Sequence, residues 1–524
     1  MLKARIPALR NQAVIGAGFL VLGIWAAWEA GNEVVSGDMR TMELAILGVA
    51  ACAVAVATLR SWRTGFYLFL VWMMFEDLVR KYMGNGSAFF FGKDVFLGLV
   101  YFAFFMEVRR HKEKTFRPPF LLFFSLFFWL GILQVFNPNS PHILYGLLGF
   151  KVYFYYVPLI FIGYALIRTH ADLRKFLVTN ALLAAVIAAV GIIQAIVGNS
   201  FLNPAHLAPA LEYLGDLSKV TPLSGQVFSL PDSVFVSAGR CSLYLLMAFI
   251  LMMGAVGYLL LSSRLGRKPV FIAMGLLSGA ILLEGNRGTF VYAAATALAL
   301  PGAFLWGAPW RWRQAHRLVR AIRRSFIVGA IALTAILLLF PNAAGSRIAF
   351  YAETLNPNSS AYQLGSRAWD YPVQNLLEVF DQPNWMTGNG IGTASLGRQY
   401  VAELMGEPPL NIGVEEGYGT LIVEMGIIAP FLWILWTAAL LYYCWTIVRR
   451  LRETPLFPIA AAALWFILLL LYPITFASLA PYQDYLCNVY LWLLVGIIFA
   501  LPGIVGQPTP LVNNCPAQTA EDTL

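Results

Sequence analysis

Residues 413–426 read GVEEGYGTLIVEMG, and they carry the chain from a long polar segment into an apolar one. The polar segment, residues 342–417, is the longest non-apolar run of the sequence, and Glu415 and Glu416 stand at its end. Acidic side chains at the mouth of a membrane span are costly unless they have a function. We therefore expect the rest of the chain to be a membrane scaffold that holds these acids against a substrate.

The composition indicates a membrane protein. The chain has 524 residues, of which 59% are hydrophobic and only 12% are charged, and soluble globular proteins do not have this balance. Apolar runs of about 17–25 residues recur, which is long enough to cross a bilayer as helices. We predict an all-α polytopic membrane protein with about 12–14 transmembrane helices. The candidate spans are residues 12–30, 43–59, 65–79, 95–108, 119–136, 152–167, 177–198, 240–261, 270–284, 288–306, 325–341, 418–447, 457–476 and 486–504.

The basic residues predict the topology. With the N-terminus in the cytoplasm, 25 of the 36 lysines and arginines fall in seven successive cytoplasmic segments, as the positive-inside rule requires. Both termini are then cytoplasmic, and the long polar segments lie on the outer side. The basic run at residues 311–324 is a topology anchor beside anionic lipids rather than a nucleic-acid site. The predicted parts are a helix bundle of about eleven spans with a small outer loop, a large outer loop, C-terminal helices and a disordered cytoplasmic tail: 1–341 with loop 199–239, 342–417, 418–504 and 505–524.

Several catalytic signatures are absent from the sequence. It has no Walker-type phosphate loop, no His-Glu-x-x-His motif and no Asp-x-Asp motif, which argues against ATP hydrolysis and against metal sites of these patterns. The five cysteines show neither metal-binding nor disulfide spacing. We therefore expect no metal and no cofactor. Nucleotide-activated donors are made in the cytoplasm, so a donor used by the outer loops should be anchored in lipid.

A charged cluster at the outer end of the third span supplies Arg80 and Lys81 as candidate binding residues. Glu76 and Arg80 are four residues apart, as are Asp77 and Lys81, so each pair lies on one helix face. These pairs could neutralise one another at a helix end or position a polar headgroup, and the sequence leaves both interpretations open. Lys93, at the outer end of the next span, belongs to the same predicted group.

Two arginines begin apolar spans immediately after small residues. Arg240 follows Ser-Ala-Gly, and Arg287 lies in a Gly-Asn-Arg-Gly turn. The planar guanidinium matches phosphate oxygens bidentately, and small neighbours allow a headgroup to come close. We predict that both arginines bind a pyrophosphate and that Arg367, in the large outer loop, closes over the site. Lys219 is interpreted as an interfacial side chain whose ammonium reaches water.

Together these residues resemble the O-antigen ligase and O-antigen polymerase superfamily, integral membrane glycosyltransferases with a large late periplasmic loop. In that family a small turn with an arginine opens a span, as residues 286–288 do here, and an arginine begins the span before it, as Arg240 does. A glycine-rich phrase ends the large loop, here GNGIGT at residues 388–393, and the next helix ends in Glu-x-Gly, here residues 424–426. The family's usual histidine falls on Glu415, so an acid replaces it.

The phrase from Phe75 to Lys81, with Lys93-Asp94, looks like one found in an exopolysaccharide polymerase-like branch of this superfamily, in which the acid is usual. The resemblance covers most of the chain from about residue 65 to 450. It implies a GT-C-like fold and a metal-independent, inverting transfer from a polyprenyl-pyrophosphate-linked oligosaccharide at the periplasmic face of a bacterial inner membrane. The expected partners are this donor, membrane lipids, and a chain-length regulator with other assembly proteins.

This resemblance gives the carboxylates a role. We expect Glu415 to be the general base that takes the proton from a sugar hydroxyl as its oxygen attacks an anomeric carbon, with Glu416 as second candidate. The arginines would offset the charge on the departing lipid pyrophosphate. Glu424 lies about 2.5 helical turns beyond Glu415 and on another face, so we interpret it as a structural buried acid bonded to a neighbour.

The predicted function is polymerisation of lipid-linked repeat units into an extracellular or surface polysaccharide. One alternative is a ligase that transfers a glycan to another acceptor, and the missing histidine counts more against this alternative than against the polymerase. A second alternative, of another class, is a transporter or flippase of the same lipid-linked glycan. A transporter would be expected to show discontinuous spans or paired halves around charges near the bilayer midplane, whereas the charges here concentrate at the outer ends of the spans, where the long loop also lies.

Overall fold

The structure is a computed structural model. The predicted first span, Arg367 and most of the predicted tail lie outside the residues that it describes. It describes residues 40–83, 87–112, 116–204, 209–221, 225–262, 266–307, 319–320, 323, 334, 338, 341–355, 369–408, 410 and 414–506.

The described residues are mostly helical. The α-helices are α1 (Arg40–Arg60), α2 (Trp62–Met83), α3 (Ser87–His111), α4 (Leu121–Val135), α5 (Ile143–Phe154), α6 (Leu159–Leu166), α7 (His170–Val197), α8 (Ala238–Ser262), α9 (Arg267–Glu284), α10 (Arg287–Gly307), α11 (Pro341–Leu355), α12 (Tyr371–Glu378), α13 (Arg398–Met405), α14 (Gly417–Met425), α15 (Ile428–Arg450), α16 (Phe457–Leu469), α17 (Thr475–Ala477), α18 (Ala480–Gln483) and α19 (Tyr485–Ala500). Short 3₁₀ helices lie at Pro209–Leu214, Val379–Asp381 and Leu501–Ile504, and a π-helical turn lies at Leu470–Ile474.

Seven helical segments among the described residues are long and apolar enough to cross a membrane. This confirms the prediction of an all-α polytopic membrane protein, while the total of about 12–14 spans stays a prediction. The seven segments are Ile143–Leu166, His170–Val197, Ala238–Ser262, Arg287–Gly307, Ile428–Arg450, Phe457–Ala477 and Tyr485–Ile504.

The chain divides into two compact units. The first comprises Met1–Met73 with Phe90–Lys114, and the second comprises Met74–Phe89 with Thr115–Leu524. The second unit contains the seven membrane-spanning segments, which include the helices that carry Arg240 and Arg287 near their starts, and it also contains the acid pair Glu415 and Glu416. The candidate site therefore has to be built from the second unit alone.

The first unit packs through aromatic side chains. Trp62 and Phe104 lie edge to face with their ring centroids 5.0 Å apart, and Phe69 and Phe96 do the same at 5.9 Å. These are the geometries that aromatic pairs prefer. Apolar rings on successive turns thus explain why these segments form helices that pack together.

In the second unit, glycines let helices approach closely. Gly163 of α6 and Gly496 of α19 each face backbone atoms of the other helix, so a Cβ at either position would clash. Gly254 of α8 likewise leaves room for Ala462 of α16. Membrane helices commonly associate through such small residues, because dispersion contacts rather than hydrophobic burial drive their packing.

A two-stranded antiparallel hairpin lies within the predicted small outer loop. Its strands are β1 (Ser218–Val220) and β2 (Val227–Ser229), and Lys219 pairs with Phe228. These strands were not predicted from the sequence. The hairpin positions Phe228 and Lys219 against the turn between α9 and α10.

The predicted span 418–447 is broken into α14 and α15 at Gly426. This glycine has a positive φ of 82°, which an L-residue with a side chain rarely adopts. The loop residue Met386 accepts a hydrogen bond from Ile427 at 3.3 Å, and Asn389 donates to the Val423 carbonyl at 2.8 Å. The break therefore forms because the large outer loop packs on the backbone there, which the hydrophobic pattern alone did not indicate.

Contacts within the second unit join helix ends that the charge pattern assigns to the same side. Which side is cytoplasmic stays a prediction. Contacts at the predicted outer ends are Arg240–Asp484, Lys81–Asp232 and Asn137–Gly388, and contacts at the predicted inner ends are Glu453–Gly307 and Arg452–Trp306.

Candidate functional site

A buried ion-pair network lies at the predicted outer end of the bundle. The Asp77 carboxylate accepts from Arg80 Nη1 at 2.8 Å and from Arg240 Nη1 at 2.5 Å. Arg240 Nε donates to Asp484 Oδ2 at 2.7 Å, and Arg80 Nη2 donates to the Tyr400 hydroxyl at 2.7 Å. Four elements (α2, α8, α13 and the start of α19) are tied together here. Buried charges persist only when paired and hydrogen-bonded in this way.

Lys81 extends the network to the small outer loop. Its Nζ donates to Asp232 Oδ2 and to the Ser233 carbonyl, both at 2.9 Å, and Asn203 donates to the other Asp232 oxygen at 3.2 Å. Burial raises the pKa of Asp232, although the Lys81 ammonium opposes that shift. Arg80 and Lys81 are thus bonded to carboxylates within the protein, which indicates a positioning role.

Lys93, the third residue of that predicted group, lies on α3 in the first unit, where its side chain is buried. Arg80 and Lys81 belong to the second unit and Lys93 belongs to the first. Only Arg80 and Lys81 can therefore be described as parts of the site in the second unit. Arg367 lies outside the described residues, so its predicted closure over the site stays a prediction.

Arg240 keeps an open edge despite its two ion pairs. Its side chain is 14% exposed, its guanidinium lies 4.7 Å from the centroid of the Tyr485 ring, and the adjacent Gly239 is exposed. Within the described part of the chain, Nη2 has no hydrogen-bond partner. Two carboxylates and a ring therefore fix the guanidinium plane while one amino group remains available for a ligand oxygen.

The turn before Arg287 is tied to the start of α8, the helix that carries Arg240. Asn286 Nδ2 donates to the Ser242 hydroxyl at 2.9 Å, and its Oδ1 accepts from the Thr289 amide at 3.3 Å. The Arg287 guanidinium lies over Phe350, 4.3 Å from the ring centroid. The amino-terminal ends of α8 and α10 thus lie together, and both carry partial positive charge.

Lys219 joins the same turn. Its ammonium lies 3.4 Å from the Gly285 carbonyl and 5.6 Å from the centroid of the Phe350 ring. Gly285 has a φ of 74°, and its amide donates to the Tyr351 hydroxyl at 3.0 Å. The predicted interfacial position of Lys219 does not include this contact, because the contact depends on the hairpin, which the sequence did not indicate.

The two adjacent acids have different environments. Glu416 is 1% exposed and caps α14, accepting from the amides of Tyr418 at 3.0 Å and of Gly419. Glu415 is exposed, and its backbone amide donates to Asn375 at 3.5 Å. Glu415 can therefore meet a substrate, whereas Glu416 occupies both its oxygens in starting the helix.

Burial raises the pKa of Glu416 to about 7, against the two backbone hydrogen bonds, which favour the charged form. A carboxyl whose pKa is higher in the folded state contributes stability that is present below its unfolded pKa, near 4.5, and is lost as pH rises through about 7. We expect Glu416→Gln, which mimics the neutral acid, to resemble the native protein at about pH 5 and to lose less stability by about pH 8. Thermal unfolding of the purified protein at both pH values measures this, and identical pH slopes would contradict it.

A short segment connects the acid pair to the arginine network. Gly417 packs directly against the backbone of Thr475 and Leu479, leaving no space for a Cβ. The chain then runs through α18 to Asp484, the partner of Arg240. Residues 475–484 thus contact the start of α14 at one end and pair with Arg240 at the other. One short segment therefore links the helix start next to Glu415, the predicted base, to Arg240, the predicted phosphate ligand.

Glu424 has the structural role that the sequence predicted. It is fully buried and accepts from the Tyr153 hydroxyl and the Ser395 hydroxyl, both at 2.7 Å, and from the Ala394 amide at 3.0 Å. These bonds tie the glycine-rich end of the large loop to α5 and α14. The prediction of a buried acid bonded to neighbours is confirmed.

Asp484, Asp232 and Tyr400 were missed as parts of the site. A lone aspartate at the start of an apolar span was the available signal for Asp484, because such an acid is costly without a partner. Asp232 and Tyr400 lie in polar loops and gave no comparable signal. Among the described residues no cluster of histidine, cysteine and acidic side chains could hold a metal ion.

Comparisons with protein-family models, with curated proteins and with solved structures found no match to this chain.

Proposed function

We propose that this protein is a membrane glycosyltransferase that polymerises polyprenyl-pyrophosphate-linked oligosaccharide repeat units at the periplasmic face of a bacterial inner membrane. The observation that supports it most is the segment 475–484, which packs on Gly417 next to the acid pair and pairs with Arg240 through Asp484. The turn before Arg287 is in turn hydrogen-bonded to the start of α8, the helix that carries Arg240. An exposed carboxylate and two arginines at helix starts are the groups that transfer from a lipid pyrophosphate requires.

In this mechanism the arginines bind the donor. Arg240 presents Nη2, and Arg287 stands at the start of α10, so the pyrophosphate meets two guanidinium groups and the positive ends of two helices. Glu415 accepts the proton of the acceptor hydroxyl while that oxygen forms a bond to the anomeric carbon. The bond from this carbon to the phosphate oxygen breaks, and the lipid pyrophosphate leaves with the electron pair. Attack from the opposite face inverts the anomeric centre.

In this proposal the buried residues around Arg240 position its side chain. Asp77 and Asp484 fix the guanidinium plane, so its open edge does not have to be ordered when the donor binds. Arg80 and Lys81 hold the carboxylates and the small outer loop. We assign both of them positioning roles and do not place them in contact with the substrate.

Arg287→Lys should reduce polymer by about tenfold or more, because lysine keeps the charge and loses the bidentate fork. Arg240→Ala should have at least this effect, with the protein still inserted. Lipid-linked single repeats should accumulate in both strains, as gel analysis of polymer and of extracted lipids would show. Arg450→Lys is the matched control, because Arg450 is exposed at the carboxy-terminal end of α15, which is a predicted inner end. Normal polymer from both site variants would reduce these arginines to interfacial anchors.

The same strains distinguish the alternatives. If the protein were a flippase, repeats accumulating in Arg287→Lys cells would stay inaccessible to a membrane-impermeant sugar label on the periplasmic side. If it were a ligase, polymer would still form on the lipid carrier but would not reach its acceptor. If the protein is a polymerase, the single repeats that accumulate in Arg287→Lys cells should react with the membrane-impermeant label, because they have already reached the periplasmic side. A chain-length regulator remains an expected partner and would change product length without removing polymer.

A further inference from the structure

Three aromatic side chains converge beside the acid pair. Phe476, on α17, lies with its ring centroid 5.8 Å from that of Trp369 and 6.3 Å from that of Tyr418. They come from three separate parts of the chain: the approach to α12, the short α17 and the first turn of α14. Trp369 is 66% exposed, whereas Phe476 and Tyr418 are only partly covered.

The polar groups around these rings are those that a sugar needs. Glu415 is exposed, and its backbone is held by the Asn375 side chain from α12. The Asn375 amide group is oriented in turn by the Tyr371 carbonyl at 3.1 Å. The helix that follows Trp369 therefore also holds the backbone of Glu415. Trp369 and the backbone of the exposed Glu415 are thus linked through α12.

A pyranose ring matches this combination. Its C–H groups form a slightly positive apolar face, which is attracted to the negative face of an aromatic ring, and its hydroxyls form a polar rim that donates to a carboxylate. An exposed tryptophan is commonly a membrane-interface anchor. That explanation alone does not account for two further rings from other segments, or for Asn375 holding Glu415 alongside.

We propose that Trp369, Phe476 and Tyr418 form a stacking surface for a sugar ring of the acceptor glycan and present its hydroxyl to Glu415. This inference rests on the proposed function and adds to it a place for the acceptor, which the arginines, as donor ligands, do not provide. Trp369 is the ring that would carry most of the contact, because it is the most exposed of the three.

The test uses the full-length protein in lipid nanodiscs, with lipid-linked oligosaccharide extracted from cells lacking this protein as the probe. Polyprenyl pyrophosphate without sugar is the second probe. We expect Trp369→Ala to weaken binding of the oligosaccharide about five- to tenfold and to leave binding of the bare lipid pyrophosphate unchanged. Trp369→Phe keeps a ring and should restore most of the affinity. Trp129→Ala, at an exposed tryptophan of the apolar helix α4, should change neither affinity.

Each result decides a different question. Equal affinity of the native protein and Trp369→Ala for the oligosaccharide would overturn the stacking surface and leave the proposed function standing. Weaker binding of both probes by Trp369→Ala would also overturn it, because a membrane or structural role would then explain the loss. If the native protein bound neither probe, the proposed function itself would fall, and the stacking surface with it.

Discussion

Glu415→Gln is expected to lower the rate of polymer formation by about 10²–10⁴-fold, the usual effect of removing a general base. Glutamine keeps the size and hydrogen bonding of the side chain and cannot accept the proton of the acceptor hydroxyl. Because Glu415 is exposed and does not cap α14, the variant should insert and unfold as the native protein does. Single-turnover conversion of lipid-linked repeats in nanodiscs measures the rate.

Glu416→Gln is the matched control, since it makes the same change of side chain at the neighbouring residue. Glutamine can still accept one backbone hydrogen bond at the start of α14, so stability should change more than rate. Equal, mild effects of both substitutions would show that the acids only favour the positive end of the helix dipole. Loss of polymer in Glu416→Gln alone would move the base by one residue.

The helices of this protein were predictable because membrane insertion depends on local composition. The predicted spans 240–261 and 288–306 lie within α8 and α10, since an apolar run satisfies its backbone only as a helix in lipid. The break at Gly426 was not predictable from hydrophobicity. It depends on a loop contact with Met386, which is distant in sequence and leaves no periodic signal.

The candidate site was predictable only as separate residues. Arg240 and Arg287 were singled out by their small neighbours and their position at span starts, and the structure joins the two helix starts through the Asn286–Ser242 hydrogen bond. The partners of Arg240, Asp77 and Asp484, are separated from it by more than 150 residues. One sequence does not show which acid meets which base across such separations. For that reason the sequence left open whether Asp77 pairs with Lys81, whereas in the structure Asp77 accepts from Arg80 and Arg240.

Asp77→Asn is expected to destabilise the protein by about 3–5 kcal/mol, the usual cost of removing one partner from a buried ion pair. The Asp77 carboxylate is fully buried and accepts from two arginines and, at 3.3 Å, from the Val236 amide. The amide of asparagine could keep one of these bonds, but it leaves Arg80 and Arg240 without that negative charge. Chemical unfolding of the purified protein in detergent measures the loss.

Asp484→Asn should lower the free energy of unfolding by less than Asp77→Asn does. This difference is expected if the charges form one network centred on Asp77, and it is not expected if they form independent pairs. Arg240 would still have Asp77, and its partly exposed edge reaches water, whereas Asp77→Asn removes a carboxylate from both Arg80 and Arg240. Asp381→Asn, at an exposed carboxylate of the large outer loop, controls for a general charge effect. If Asp77→Asn unfolds like Asp381→Asn, the buried charges do not hold α2 and α8 together. In that case Arg240 would not have the fixed orientation on which its role toward the pyrophosphate depends.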